Sequence, residues 1–71
     1  MTTETPKMFR WQYFTTMGNN CRLQGMSQEE AQEVIDAVSR SPIDGDNFWN
    51  GFLYGRDELV ESLPSLSELR D

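Results

Sequence analysis

The chain contains no histidine and only one cysteine, Cys21, among its 71 residues. Without histidine it lacks the commonest general base and the commonest metal ligand. One cysteine rules out an internal disulfide framework and fits a reducing, cytoplasmic setting. Long apolar runs are also missing, since none approaches the roughly 18 residues that a membrane-spanning helix needs. The segment Met1-Thr2-Thr3-Glu4-Thr5-Pro6 lacks the basic start and apolar block of a signal peptide. Basic residues are scarce, with six Lys and Arg against twelve Asp and Glu, for a net charge of −6. The imbalance lies beyond residue 27, where eleven carboxylates meet only Arg40, Arg56 and Arg70. Phosphate recognition requires a basic surface, so nucleic acid is disfavoured as the main partner. A basic protein partner is compatible with this charge, and so is solubility alone.

What the chain does contain is helical punctuation. Gly25 suits the left-handed conformation that closes a helix, and Met26 follows it as the apolar residue expected to pack back on Cys21. Ser27, with Glu30 three positions later, has the spacing of a capping box. Two helices folded back on each other are therefore expected on either side of residues 25–27. In the second, over about 28–40, Ala31, Val34, Ile35 and Val38 form one apolar stripe and Glu29, Glu33 and Asp36 the opposite one. Glu29 and Glu30 at its start and Arg40 at its end suit the helix dipole, and Ser41-Pro42 stops it.

The first segment admits two readings. Met8 to Thr16 is rich in aromatics and threonines, and Gly18-Asn19-Asn20 suits a turn, so a β-hairpin over 8–24 in an α+β fold is the alternative. Phe14, Met17 and Cys21, with Tyr13 beside them, instead follow a helical period. A helix over about 6–24 is favoured, with Thr5 as N-cap, Pro6 at its first position and a kink near Gly18. Further on, Pro42-Ile43-Asp44-Gly45 reads as a turn, with Asp46 or Asn47 capping a third helix over about 47–62. Phe48, Trp49, Phe52, Leu53, Leu59, Val60 and Leu63 share one arc of that helix, which outweighs the hairpin signal of Asn50-Gly51. Ser65 and Glu68 have the spacing for one last helical turn. The expected architecture is a single all-α, three-helix domain, with 1–5 and 64–71 as flexible tails.

Catalytic chemistry finds little support. Cys21 has no histidine partner and falls on the core stripe. Paired carboxylates such as Glu29 and Glu33 sit on a solvated face, where nothing shifts a pKa. Asp44-Gly45-Asp46 opens like a calcium loop, but Phe48 and Trp49 stand where a ligand and a glycine are required. No catalytic residue, cofactor or metal is expected, and the chain reads as a non-enzyme. Gly51 and Gly55 offer a small-residue groove, for which close packing within the domain is the simpler use. Arg56 falls in the apolar arc of the third helix and is expected either to pair with a carboxylate or to stand at an interface.

Large apolar side chains outnumber the places in so small a core. Met8, Trp11 and Trp49, next to Lys7 and Arg10, are therefore expected to form an exposed patch that binds a protein or a second copy. Tyr54 falls on the polar side of the third helix and joins Arg56 among the candidate contacts. Two other readings concern nucleic acid. The junction at Gly25-Met26-Ser27 suggests a helix-turn-helix, but its recognition helix would present Glu29, Glu33 and Asp36 to phosphates. Conversely, these three with Asp57, Glu58 and Glu61 could imitate a phosphate backbone and block a basic groove of a nucleic-acid enzyme. In size and charge the chain resembles small acidic accessory and inhibitor proteins of phages and plasmids.

Overall fold

Three helices account for most of the described chain: α1 (Arg10–Leu23), α2 (Gln28–Val38) and α3 (Pro42–Tyr54). The structure is a computed structural model and describes residues 8–60, 63–64 and 68–69. The all-α three-helix architecture follows the sequence pattern, and the hairpin alternative over 8–24 is excluded because Arg10–Leu23 is one uninterrupted helix. Strand propensity in that segment yields to burial of the helical stripe. Phe14 and Cys21 are buried, with Tyr13 and Met17 packed against the same cluster.

The α1–α2 junction forms as its residues dictate. Gly25 adopts φ +82°. The Met26 amide donates to the Cys21 carbonyl and the Gly25 amide to the Arg22 carbonyl, both at 3.0 Å, which is the Schellman pattern. The Glu30 amide then donates to Ser27 Oγ at 3.2 Å, and the Ser27 amide to Glu30 Oε1 at 3.1 Å, completing the capping box. These bonds hold the Glu30 carboxyl below its usual range, the backbone bond from Ser27 contributing most. The stripe of α2 contributes Ala31 and Ile35 to the buried core, with Val34 and Val38 packed against it.

Helix limits depart from expectation at three places. Helix α1 begins at Arg10 with Phe9 as its N-cap, so Met8 and Phe9 precede it, and the cap expected at Thr5-Pro6 lies outside the described residues. Helix α2 ends at Val38, two residues early, with Arg40 beyond it. The largest difference concerns α3, which spans Pro42–Tyr54 rather than 47–62. Pro42, expected as the stop of α2, is instead the first residue of α3, where its fixed φ and missing N–H cost nothing. Asp44, Gly45, Asp46 and Asn47 are thus helical and form neither a turn nor a cap. Beyond Tyr54 the chain leaves the helix at Gly55, with φ −71° and ψ 174°. Arg56, Asp57, Glu58, Leu59 and Val60 are non-helical. The tail expectations for 1–5 and the cap at Ser65 fall outside the described residues.

The closest helix contact is between α1 and α3. Arg10 meets Asp44 near the start of both helices, Thr15 lies against Gly51 at mid-length, and Asn19 against Gly55 at the end. These pairings make α1 and α3 parallel neighbours, with α2 returning the chain between them. Gly18 and Gly51 permit the close approach. A Cβ at Gly18 would lie 2.8 Å from the Phe48 carbonyl carbon and 2.9 Å from the Phe52 amide nitrogen, and one at Gly51 would lie 3.0 Å from the Asn19 amide nitrogen. Gly51 and Gly55 therefore serve packing within the domain. Around this seam Phe14, Phe48, Phe52, Ile35, Ala31 and Cys21 form the core. Trp49 stacks edge-on against Phe48 and Phe52, with ring centroids at 5.3 and 5.1 Å.

Candidate interaction cleft

Parallel packing of α1 on α3 leaves a cleft of about 400 Å³ along one side of the seam. Trp11, Gln12, Thr15 and Thr16 line it from α1, Asn50 and Tyr54 from α3, and Gly55, Arg56, Glu58 and Val60 from the segment after α3. Two large aromatics project there with much of their surface in water: Trp11 is 55% exposed and Tyr54 80%. At the base, Asn19 is buried, donates from Nδ2 to the Glu58 carbonyl at 2.9 Å, and accepts at Oδ1 from Arg22 at 3.1 Å.

The wall formed by residues 55–60 is held by side chains of α1. Asn20 makes a two-way pair with Val60, donating to its carbonyl at 2.7 Å and accepting from its amide at 3.0 Å. Arg22 donates to the carbonyls of Gly55 at 3.3 Å and Arg56 at 2.9 Å, and lies 3.5 Å from the almost fully exposed Asp57 carboxylate. The side-chain amides of Asn19 and Asn20 and the Arg22 guanidinium thus take the place of the main-chain partners that residues 55–60 would have had in a longer helix, which explains why the apolar pattern through Leu59 and Val60 does not continue α3.

Of the candidate contact residues, three come together in the cleft: Trp11, Tyr54 and Arg56. Arg56 is exposed and lies beyond the helix instead of within its apolar face. The other three are placed elsewhere. Trp49 is half-buried against the core, and Met8 is half-buried ahead of α1. Arg10 is committed to Asp44 through a bidentate pair, Nε to Oδ1 at 2.9 Å and Nη2 to Oδ2 at 2.8 Å. The Arg10 guanidinium also lies 5.4 Å from the centroid of the Phe14 ring. Lys7 lies outside the described residues.

Asp44, expected from its neighbours in sequence to sit in a turn, is instead a buried charge. It is 2% exposed, and besides Arg10 it accepts from the Arg40 amide at 2.9 Å. The Arg10 hydrogen bonds, helped by that amide, hold its carboxyl below the usual carboxylate range even though burial acts in the opposite sense. Such a pair joins the start of α3 to the start of α1 and sets their register. Cys21 is buried in the core, and burial pushes its thiol above the ordinary value, so it is a poor nucleophile.

The acidic residues divide between two places. Glu29, Glu33 and Asp36 are all exposed on α2. Asp57 and Glu58 are exposed on the segment after α3 and do not form a second helical face, and Glu61 lies outside the described residues. Among the described residues no helix is long and apolar enough to cross a membrane, and no three acidic or cysteine side chains converge to hold a metal ion. Compared with known protein families, characterised proteins and solved structures, the chain matches none.

Proposed function

We propose that this protein is a non-catalytic interaction module that binds another protein, or a second copy of itself, through the cleft flanked by Trp11 and Tyr54. The observation that carries this reading is the pairing of two largely exposed aromatics with exposed Arg56 around one concavity. Trp, Tyr and Arg are the residues most enriched where binding energy concentrates at protein interfaces, and the two aromatics bury a large area with few torsions to freeze. Among the other lining groups Gln12, Thr15, Thr16 and Asn50 offer neutral hydrogen-bond partners, as the rim of an interface does, and Glu58 adds one carboxylate.

The test uses Trp11→Ala and Tyr54→Ala, singly and together. Both side chains are mostly in water, so folding is expected to survive, whereas Trp49→Ala would remove core packing and confuse the result. Mass in solution and capture of a partner from the native host's lysate are compared with the unsubstituted chain. Loss of self-association or of the captured partner in the double variant is the expected outcome. If the unsubstituted chain is monomeric and also captures nothing, or if the double variant behaves as the unsubstituted chain does, the reading is wrong.

A further inference from the structure

The segment that walls the cleft is attached differently from the rest of the fold. Every described hydrogen bond holding residues 55–60 to α1 runs between an α1 side chain, Asn19, Asn20 or Arg22, and the main chain of the segment. Its own side chains contribute little, since Arg56, Asp57, Glu58 and Leu59 are exposed and only Val60 is half-buried. At the Arg22 end the attachment is incomplete among the described residues, where the buried Nε finds no hydrogen-bond partner. The α1–α3 seam, by contrast, closes over Phe14, Phe48 and Phe52 with glycines at its tightest contacts. Stability that comes from apolar burial and stability that comes from a few part-buried or exposed hydrogen bonds need not be lost together.

We propose that residues 55–60 are a detachable strap: they undock from Asn19, Asn20 and Arg22 while α1, α2 and α3 stay folded, and undocking removes one wall of the cleft. The hinge is Gly55, where α3 ends in an extended conformation. A ligand that fills the cleft touches Arg56, Glu58 and Val60, so it binds the docked form better and draws the strap closed by linkage. As a regulator of the cleft, the strap depends on the interaction reading above. Its test needs no partner, so the two can fail separately.

The test is native-state amide hydrogen exchange on the full chain. The Val60 amide, which donates to Asn20, is compared with the Phe52 amide inside α3. A strap that opens alone gives Val60 a protection factor at least about tenfold below that of Phe52. Asn20→Ala removes both halves of the clasp and is expected to bring Val60 to the rate of an open amide while leaving Phe52 within about threefold of its original rate. Glu58→Ala removes an exposed side chain but keeps the carbonyl that Asn19 reads, so it is expected to change neither rate. Equal protection of Val60 and Phe52 in the unsubstituted chain would overturn the proposal, because it would mean one cooperative unit. The proposal also fails if Asn20→Ala speeds both amides alike or unfolds the protein.

Discussion

Alanine at different glycines of this chain should act in opposite directions, and the sign at each position follows from what a Cβ would meet. Helix propensity alone favours alanine over glycine by about 1 kcal/mol at any helical position. Gly45, in the first turns of α3, has no atom of the described residues within 4 Å of where a Cβ would stand, so Gly45→Ala should stabilise by about 0.5–1 kcal/mol. At Gly18 the same Cβ would press on the main chain of Phe48 and Phe52, with atoms at 2.8 and 2.9 Å where ordinary contacts begin at 3.4 Å. Main-chain atoms within a helix cannot swing aside, so α1 and α3 would have to separate. A gap of 0.5–1 Å forfeits a quarter to half of each dispersion well along the seam. An overpacking cost of about 3 kcal/mol, less about 1 kcal/mol of propensity, leaves a net loss of roughly 2 kcal/mol. A chain of this size has a total stability of roughly 4–10 kcal/mol, and each kcal/mol moves Tm by about 4–8 °C. Gly18→Ala should therefore lower Tm by about 8–16 °C and Gly45→Ala raise it by about 4 °C, measured by circular dichroism. Gly51→Ala should behave as Gly18→Ala does. A Gly18→Ala protein as stable as the original would falsify the close parallel seam on which the fold and the cleft both rest.

Other substitutions probe the remaining joints. Asp44→Asn removes the charge from a buried bidentate pair and should cost about 3 kcal/mol, the lower end of the range for breaking such pairs because Arg10 keeps some solvent contact. Since the folded Asp44 carboxyl titrates below its ordinary 3.8, its contribution is complete above that value and is lost as pH falls through it toward the folded pKa. Urea midpoints between pH 5 and 2 should accordingly fall less in Asp44→Asn than in the original chain, and parallel curves would refute the pairing. Ser27→Ala deletes the acceptor of the capping box and should cost about 1 kcal/mol, read as a lower urea midpoint with unchanged slope. Cys21 should react with a thiol reagent only as fast as the protein opens, so rapid modification of the native state would contradict its burial.

How legible each element was depends on whether its cause is local. Helix α2 could be read almost to the residue because its start, its stripe and its stop are all encoded within a dozen positions. The glycine between α1 and α2 is similarly self-contained, since the Schellman bonds join residues only a few apart. The limits of α3 were not legible, because two of their causes lie more than thirty residues away in sequence. Asp44 enters the helix as a buried partner of Arg10, a pairing that no spacing rule reveals. At the other end, Asn19, Asn20 and Arg22 capture the main chain of residues 55–60 and stop an apolar pattern that would otherwise have continued. One signal was available. Adjacent asparagines in the middle of a helix are poor helix formers that compete for backbone groups, and such residues inside a strongly patterned helix imply a tertiary task.

The exposed aromatics have a structural cause that composition alone could not supply. A surplus of large apolar residues over core places predicts that some face water; of those singled out, Trp11 and Tyr54 do so, whereas Met8 and Trp49 are half-buried. The seam decides the matter. Where α1 and α3 touch, the contact is made by Thr15, Gly18, Asn19, Gly51 and Gly55, residues with little or no side chain to insert. Trp11 lies one turn before Thr15 on the same face of α1, and Tyr54 immediately precedes Gly55. Helices held this close leave no interior volume at those flanks, so both rings are turned outward beside the cleft. Trp49, on the side where Phe48 and Phe52 gather, finds room and packs inward. Close glycine packing and aromatic exposure are therefore one feature of this fold. A substitution that widens the seam should disturb the Trp11–Tyr54 surface even though it touches neither residue.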